Sequence, residues 1–275
     1  MSGRARARRA AGLGTPALVI PPALVGVAFL LLPTLALVIR TPWSRLGSIY
    51  HEQQVWPALR LSIESSLEAT AVALVLGVPL AWVLARVRVP GVGILRAIVT
   101  IPLVLPPVIG GLAIFAAFGR YGVLGGANRA VLGHDLPFTY AGIVVAQVFV
   151  AMPYLIITVE GAFRISDRGV EEAAATLGAS RSRIFLRVTV PLIAPAIVSG
   201  SVLCWARALG EFGATLLVGG NNPGVTQTLP TAVLTVFQTE PADAPALALP
   251  LLAVALIVLG SMRDRWMRPI AGPAT

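Results

Sequence analysis

The sequence predicts an all-α polytopic membrane protein with six transmembrane helices and both termini in the cytoplasm. Three observations lead there. Of the 275 residues, 56% are hydrophobic and only 12% charged, against about 25% charged in soluble domains; the mean hydropathy is +0.84. Apolar runs of roughly 20 residues, the length a helix needs to cross a bilayer, recur over 16–39, 62–85, 94–118, 138–159, 191–217 and 244–262. The 21 basic residues are all arginine, and they are distributed unevenly about these runs.

The arginines set the orientation. Arg4, Arg6, Arg8 and Arg9 precede the first run, and Arg86, Arg88 and Arg96 lie between the second and third. Arg164, Arg168, Arg181, Arg183 and Arg187 lie between the fourth and fifth, and Arg263, Arg265 and Arg268 follow the sixth. Only Arg40, Arg45, Arg60, Arg120 and Arg129 fall on the other side, with Arg207 inside a run. Cytoplasmic loops carry the arginine excess. Residues 1–14 therefore read as a basic cytoplasmic tail, 15–262 as the membrane domain with a cytoplasmic loop at 164–190, and 263–275 as a second tail. The net charge of +9 is then a topology signal and not a nucleic-acid footprint. Cys204 is the single cysteine, so the chain has no internal disulfide and no cysteine-cluster metal site; His51 and His134 are too far apart for a histidine motif.

The first run is too long for the apolar region of a signal peptide and continues past Pro33, so it reads as a membrane helix. The second carries Ser62, Ser65, Ser66 and Thr70, small polar residues suited to close helix contacts. Its Glu64 and Glu68 stand one turn apart near the outer end, either facing water or marking a functional site. The third holds Pro102, Pro106, Pro107, Gly110 and Gly111, which should kink or break it. Such a break lies against protein or a water-filled cavity, or is a packing kink. The segments 40–61, 119–137 and 218–243 read as outer loops.

Residues 164–190 interrupt the apolar pattern. Asp167 can cap a helix whose first turns carry Glu171 and Glu172, where carboxylates favour the helix dipole. Val170, Ala173, Ala174 and Leu177 recur at i, i+3, i+4 and i+7 and give one small apolar face. Gly178 suits a left-handed C′ position, and Ser180 can cap a second helix bearing Arg181, Arg183 and Arg187 up to Pro191. A small apolar face on a cytoplasmic loop has no core of its own to enter. It is a docking surface for a partner, or an interfacial helix on lipid; the second reading leaves the alanines and the glycine unexplained.

Glu172-Ala173-Ala174, then Gly178 after three intervening residues, then Val188-Thr189-Val190-Pro191, resembles the cytoplasmic loop motif of ATP-binding-cassette importer permeases. That family usually has isoleucine and leucine where this chain has two valines. The resemblance spans about residues 58–262. It implies the type I importer permease fold and a coupling helix in this loop that docks on an ATPase subunit, with Glu171, Glu172, Ala173, Ala174, Leu177 and Gly178 at the contact. It also implies the partners: a second permease copy, two ATPase subunits that carry ATP and Mg, an extracytoplasmic binding protein, and the lipid of a bacterial inner membrane. The chain itself would bind no cofactor and no metal. It lacks G-x-x-x-x-G-K-[ST], so it has no P-loop for ATP.

In the fifth run, Ser201, Cys204, Arg207, Glu211 and Thr215 are spaced 3, 3, 4 and 4 and fall within roughly 120° of one helix face. A polar stripe in an apolar helix faces a bundle interior or a cavity. Arg207 and Glu211 at i, i+4 can pair, as a lock between helices or as part of a route. Ser201, Arg207, Glu211 and Thr215 are the candidate pathway residues. The core Ala206 to Gly213, Ala-Arg-Ala-Leu-Gly-Glu-Phe-Gly, resembles the signature shared by molybdate, tungstate and sulfate permeases. Ala214-Thr215, Asn221, Thr226-Gln227-Thr228 and the text from Pro102 look like the molybdate branch. The resemblance implies import of molybdate, and of the near-identical tungstate, with sulfate or thiosulfate as the alternative. A multi-span membrane enzyme would need clustered nucleophiles, bases or metal ligands, and the runs offer one Arg–Glu pair.

Overall fold

The computed structural model describes residues 17–87 and 90–266. The basic tail expected over 1–14, residues 267–275 of the C-terminal tail and Arg88 lie outside the described residues. Every regular element among the described residues is helical. The longer ones are α1 (Ile20–Arg40), α2 (Leu46–Glu52), α3 (Val55–Arg86), α4 (Val92–Val104), α5 (Pro107–Phe118), α6 (Gly125–Leu132) and α7 (Tyr140–Ile165). There follow α8 (Arg168–Thr176), α9 (Arg181–Ile184), α10 (Ala194–Leu209), α11 (Gly213–Gly219), α12 (Leu229–Thr239) and α13 (Ala244–Trp266).

α1, α3 and α7 are each long and apolar enough to cross a membrane, and two bent pairs raise the number to five. The expected sixth span is α13, whose apolar sequence runs on to Met262 before it turns to Arg263-Asp264-Arg265. No residue of α1 is buried, and among the later helices its main contact within the described residues is α13.

The bundle centres on α3, α7 and α10. Lipid tails are as apolar as leucine, so helices in a membrane associate through close packing of small residues. The buried seam of α3 is Ser62, Ser65, Ser66, Ala69, Thr70, Ala73, Gly77 and Ala81. Leu155, Ile156, Val159 and Phe163 of α7 fill against it, joined by Cys204 and Ala208 of α10. A Cβ on Gly77 would come within 3.2 Å of Ile156. Trp205 Nε1 donates to Ser66 Oγ at 2.9 Å, tying α10 to α3.

Two expected spans are broken. α4 and α5 meet at a bend of 118° across Leu105-Pro106, where the Pro106-Pro107 pair disfavours helical geometry at the residue before each proline and Leu105 and Pro106 have ψ of 132° and 134°. The fifth is broken twice. It bends by 72° at Ile193, and it stops at Leu209 to restart at Gly213. The continuous helix expected over 191–217 does not form. The second helix of the 164–190 loop also differs from its expected end at Pro191: it passes through a π turn, Phe185–Thr189, and runs on to Leu192.

The two breaks lie together. A Cβ on Gly213 would meet Pro107 Cβ and Val108 N at 3.1 Å, and one on Gly111 would meet Ala214 Cα at 3.0 Å. Ile114, Ala146, Val150, Ala214 and Val218 form the core around this junction. The expected loop 218–243 contains α12, with Pro230 in its first turn. Ser62 Oγ accepts from Leu229 N at 2.7 Å, so this segment folds inward onto α3. Thr226, Gln227, Thr228 and Thr231 are accordingly buried.

Gly111→Val should wedge α5 from α11, because the neighbour it meets is backbone. Overpacking costs about 1–3 kcal/mol. Thermal unfolding of the purified protein in detergent should show a clear loss for Gly111→Val. Gly126→Ala, whose Cβ enters open space, should leave the transition in place.

Candidate functional site

The 164–190 loop forms an elbow. α7 ends at Ile165, and Ser166 and Asp167 are extended, with ψ of 139° and 123°. Asp167 Oδ1 accepts from Gly169 N at 2.8 Å and caps α8. After Thr176 the chain reverses through Gly178, whose φ is +81°; Gly178 N donates to Ala175 O and Ala179 N to Ala174 O. Open space surrounds the position where a Gly178 Cβ would stand, so the backbone angle alone selects glycine here. Ser180 occupies the cap position of α9 but makes no side-chain cap bond.

The apolar face of α8 is open. Val170, Ala173 and Leu177 are exposed, Leu177 at 88%, and Ala174 is half-buried. Glu172 is exposed, whereas Glu171 turns back to the bundle and pairs with Arg86 at 3.2 Å. A groove of about 670 Å³, floored by Trp82 and Phe185 and rimmed by Glu172 and Arg181, separates α8 from α3.

A second ionic cluster stands close by, and sequence reasoning missed it. Glu160, 6% exposed, receives Arg96 at 2.8 Å and Arg164 at 2.9 Å. Arg96 also donates to the Leu84 carbonyl at the end of α3. The signal was the i, i+4 spacing of Glu160 and Arg164 at the end of the fourth apolar run.

In the broken fifth span, Glu211 joins the two pieces. Its Oε1 accepts from Ala214 N at 2.8 Å, satisfying a free amide of the first turn of α11. Its Oε2 pairs with Arg207 Nη2 of α10 at 2.6 Å. Glu211 is 1% exposed, and the Arg207 side chain is 25% exposed. The hydroxyls of the stripe bond to their own helices: Ser201 Oγ to Ile197 O, and Thr215 Oγ1 to the carbonyls of Glu211 and Phe212. Thr215 and Cys204 are buried and Ser201 is half-buried. The break turns the single stripe into two short faces, and of its charged groups Arg207 is the one that reaches an open surface.

A bundle of helices with two broken spans and an amphipathic loop helix presented to the outside is the architecture of a transporter's membrane subunit. The family model for the binding-protein-dependent transport system inner membrane component matches residues 73–269, and the chain belongs to that family. It is 46% identical over 246 residues, 89% of this chain and 93% of the relative, to the molybdenum transport system permease protein ModB of Mycobacterium tuberculosis. It is 32% identical over 252 residues, 88% of this chain and 90% of the relative, to the sulfate transport system permease protein CysT of Escherichia coli. A chain in the crystal structure of a bacterial alginate ABC transporter, in complex with alginate pentasaccharide-bound periplasmic protein, shares the fold with a TM-score of 0.66. That match is 18% identical and covers 92% of this chain and 94% of the other. The chain is thus a multi-pass membrane permease subunit of the type I importer fold.

Arg207→Ala should leave Glu211 buried without its counter-ion, a loss of about 3–5 kcal/mol in such pairs. The double variant Arg207→Ala, Glu211→Ala should lose less than the sum of the single variants. The amount of membrane-inserted protein, measured for all four forms, checks this; additive losses would mean the two side chains act independently.

Proposed function

We propose that this chain is the permease subunit of an ATP-driven importer that carries molybdate, and tungstate with it, into the bacterial cytoplasm. The observation behind the substrate is the 46% identity across almost the full length of a molybdenum permease, beside 32% to a sulfate permease. Sulfate and thiosulfate are the second reading, because the sister branch has the same fifth-span core.

In this reading the chain binds no ATP, and ATP and Mg sit on a partner ATPase. The open face of Val170, Ala173 and Leu177 docks into that ATPase, and an extracytoplasmic binding protein delivers the oxyanion at the other side of the membrane. Two copies of the permease pair. Support comes from the outer side of the break, where Pro106, Pro107 and Val108 are exposed together with Ile101, Val104 and Ile109. Non-helical backbone at membrane depth is tolerated only against protein or water, so a second copy and an aqueous path cover it. Arg207 contributes positive potential for a dianion, and Glu211 tempers it. Weak holding suits release, so selection among oxyanions falls mainly to the binding protein.

Two measurements test this. Ala173→Asp and Gly178→Val should leave the chain inserted but abolish uptake: the first buries an unpaired charge in the docked contact at a cost of a few kcal/mol, and the second forces a branched residue into positive φ. Wild-type ATPase binding and uptake in both variants would overturn the docking assignment. For the substrate, cells lacking this gene should lose molybdoenzyme activity at limiting molybdate and regain it with excess. Retained activity with lost sulfate uptake would transfer the assignment to sulfate.

A further inference from the structure

The elbow between α7 and α8 is built on two extended residues, and one side chain of α3 contacts both of its arms. Ser166 and Asp167 are extended, so a turn of α8 is not passed rigidly through the backbone to α7. α8 packs on α9 and the π turn, while the groove keeps its body away from α3. Arg86, on the last turn of α3, bridges that gap. Its Nη2 donates to Ser166 Oγ at 2.6 Å and to Glu171 Oε1 at 3.2 Å, and its side chain is only 7% exposed. One guanidinium therefore grips both arms of the elbow: the residue after α7, and the first turns of α8.

The last turn of α3 is gripped from its other side as well, since Arg96 donates to the Leu84 carbonyl while pairing with Glu160. α3 runs for 32 residues, roughly 48 Å at the helical rise. It carries Ser66, which accepts from Trp205 of α10, and Ser62, which accepts from the start of α12. A push delivered to Arg86 thus reaches α10, two residues from Arg207, along one helix that stays unbroken through its internal Pro79.

We propose that Arg86, through Glu171 and Ser166, is the positioning residue that passes displacement of the docked α8 into α3, and so couples ATP hydrolysis on the partner to ion movement. Glu171 then serves this internal link, while Val170, Ala173 and Leu177 serve the partner. The proposal rests on the transporter reading above. A purely structural role would lower the amount of protein or its stability, but would leave the number of ions moved per ATP unchanged.

The test uses the complete complex in vesicles, with labelled molybdate taken up and phosphate released measured together. Arg86→Ala should retain the ATPase subunit and still hydrolyse ATP, with the ratio of molybdate imported to ATP consumed falling about fivefold or more, the lower range of measured couplings between sites. Glu171→Gln keeps the shape and removes the charge, and should lower the same ratio if Arg86→Ala fails to accumulate. The exchange Arg86→Glu with Glu171→Arg should recover part of the ratio. Unchanged ratios in the single variants, or an exchange no better than Arg86→Glu alone, would overturn the clamp while wild-type uptake leaves the transporter reading intact. A wild-type chain that recruits no ATPase would overturn both.

Discussion

The contact between α3 and α7 is the constraint on which the other elements depend. In water, two apolar helices are driven together by loss of exposed surface. Between lipid tails that drive is absent, and association requires atoms closer than lipid can place them. The α3 sequence meets this with a seam of serine, alanine, threonine and glycine, into which leucine, isoleucine and phenylalanine of α7 fit. The serines and threonine on that seam do more than save space. Ser62 and Ser66 offer their oxygens to α12 and α10, so the two later segments are positioned by the same helix face that holds α7.

Around this closely packed pair stand the broken spans. Each break exposes peptide groups that lipid cannot satisfy. The chain meets part of this by stacking one break on the other, with glycine at the closest points: Gly213 on Pro107 and Val108, and Gly111 on Ala214. Glu211 completes the junction, because its two oxygens serve the amide of Ala214 and the guanidinium of Arg207. A carboxylate in that position fills a capping need and neutralises a cation in the same place, so neither charge is left alone in the bundle interior.

Much of this was legible in the sequence, and the omissions have physical causes. α1, α3 and α7 follow from apolar length, and the break in the third span follows from Pro106-Pro107. The loop elbow was readable because its signals are local: a capping Asp167, a periodic small face and a glycine at the reversal. The interruption at 210–212 was not readable from spacing, since Arg207 and Glu211 fit i, i+4 in an unbroken helix, and the contact that ends it comes from α5, a hundred residues earlier. α12 was hidden by the turn-rich text before it, and its helix is fixed by Ser62 of α3. The pairing of Glu171 with Arg86 was not readable either, because the two stand 85 residues apart in the chain.

That last case bears on how a small loop can act on a large bundle. An apolar docking face must remain free of its own protein, or the partner would have to displace that protein first. Yet a face with no internal contact could move without consequence for the membrane segments. In the proposed docking, the two needs are separated around one short helix. Val170, Ala173 and Leu177 stay open on one side, and Glu171 reaches inward on another to a guanidinium shielded from water. An ion pair suits this better than apolar packing, because two charges keep attracting each other as their distance changes, whereas van der Waals contact is lost with a small gap. In the proposed coupling, the Arg86–Glu171 pair keeps α8 linked to α3 when docking displaces α8.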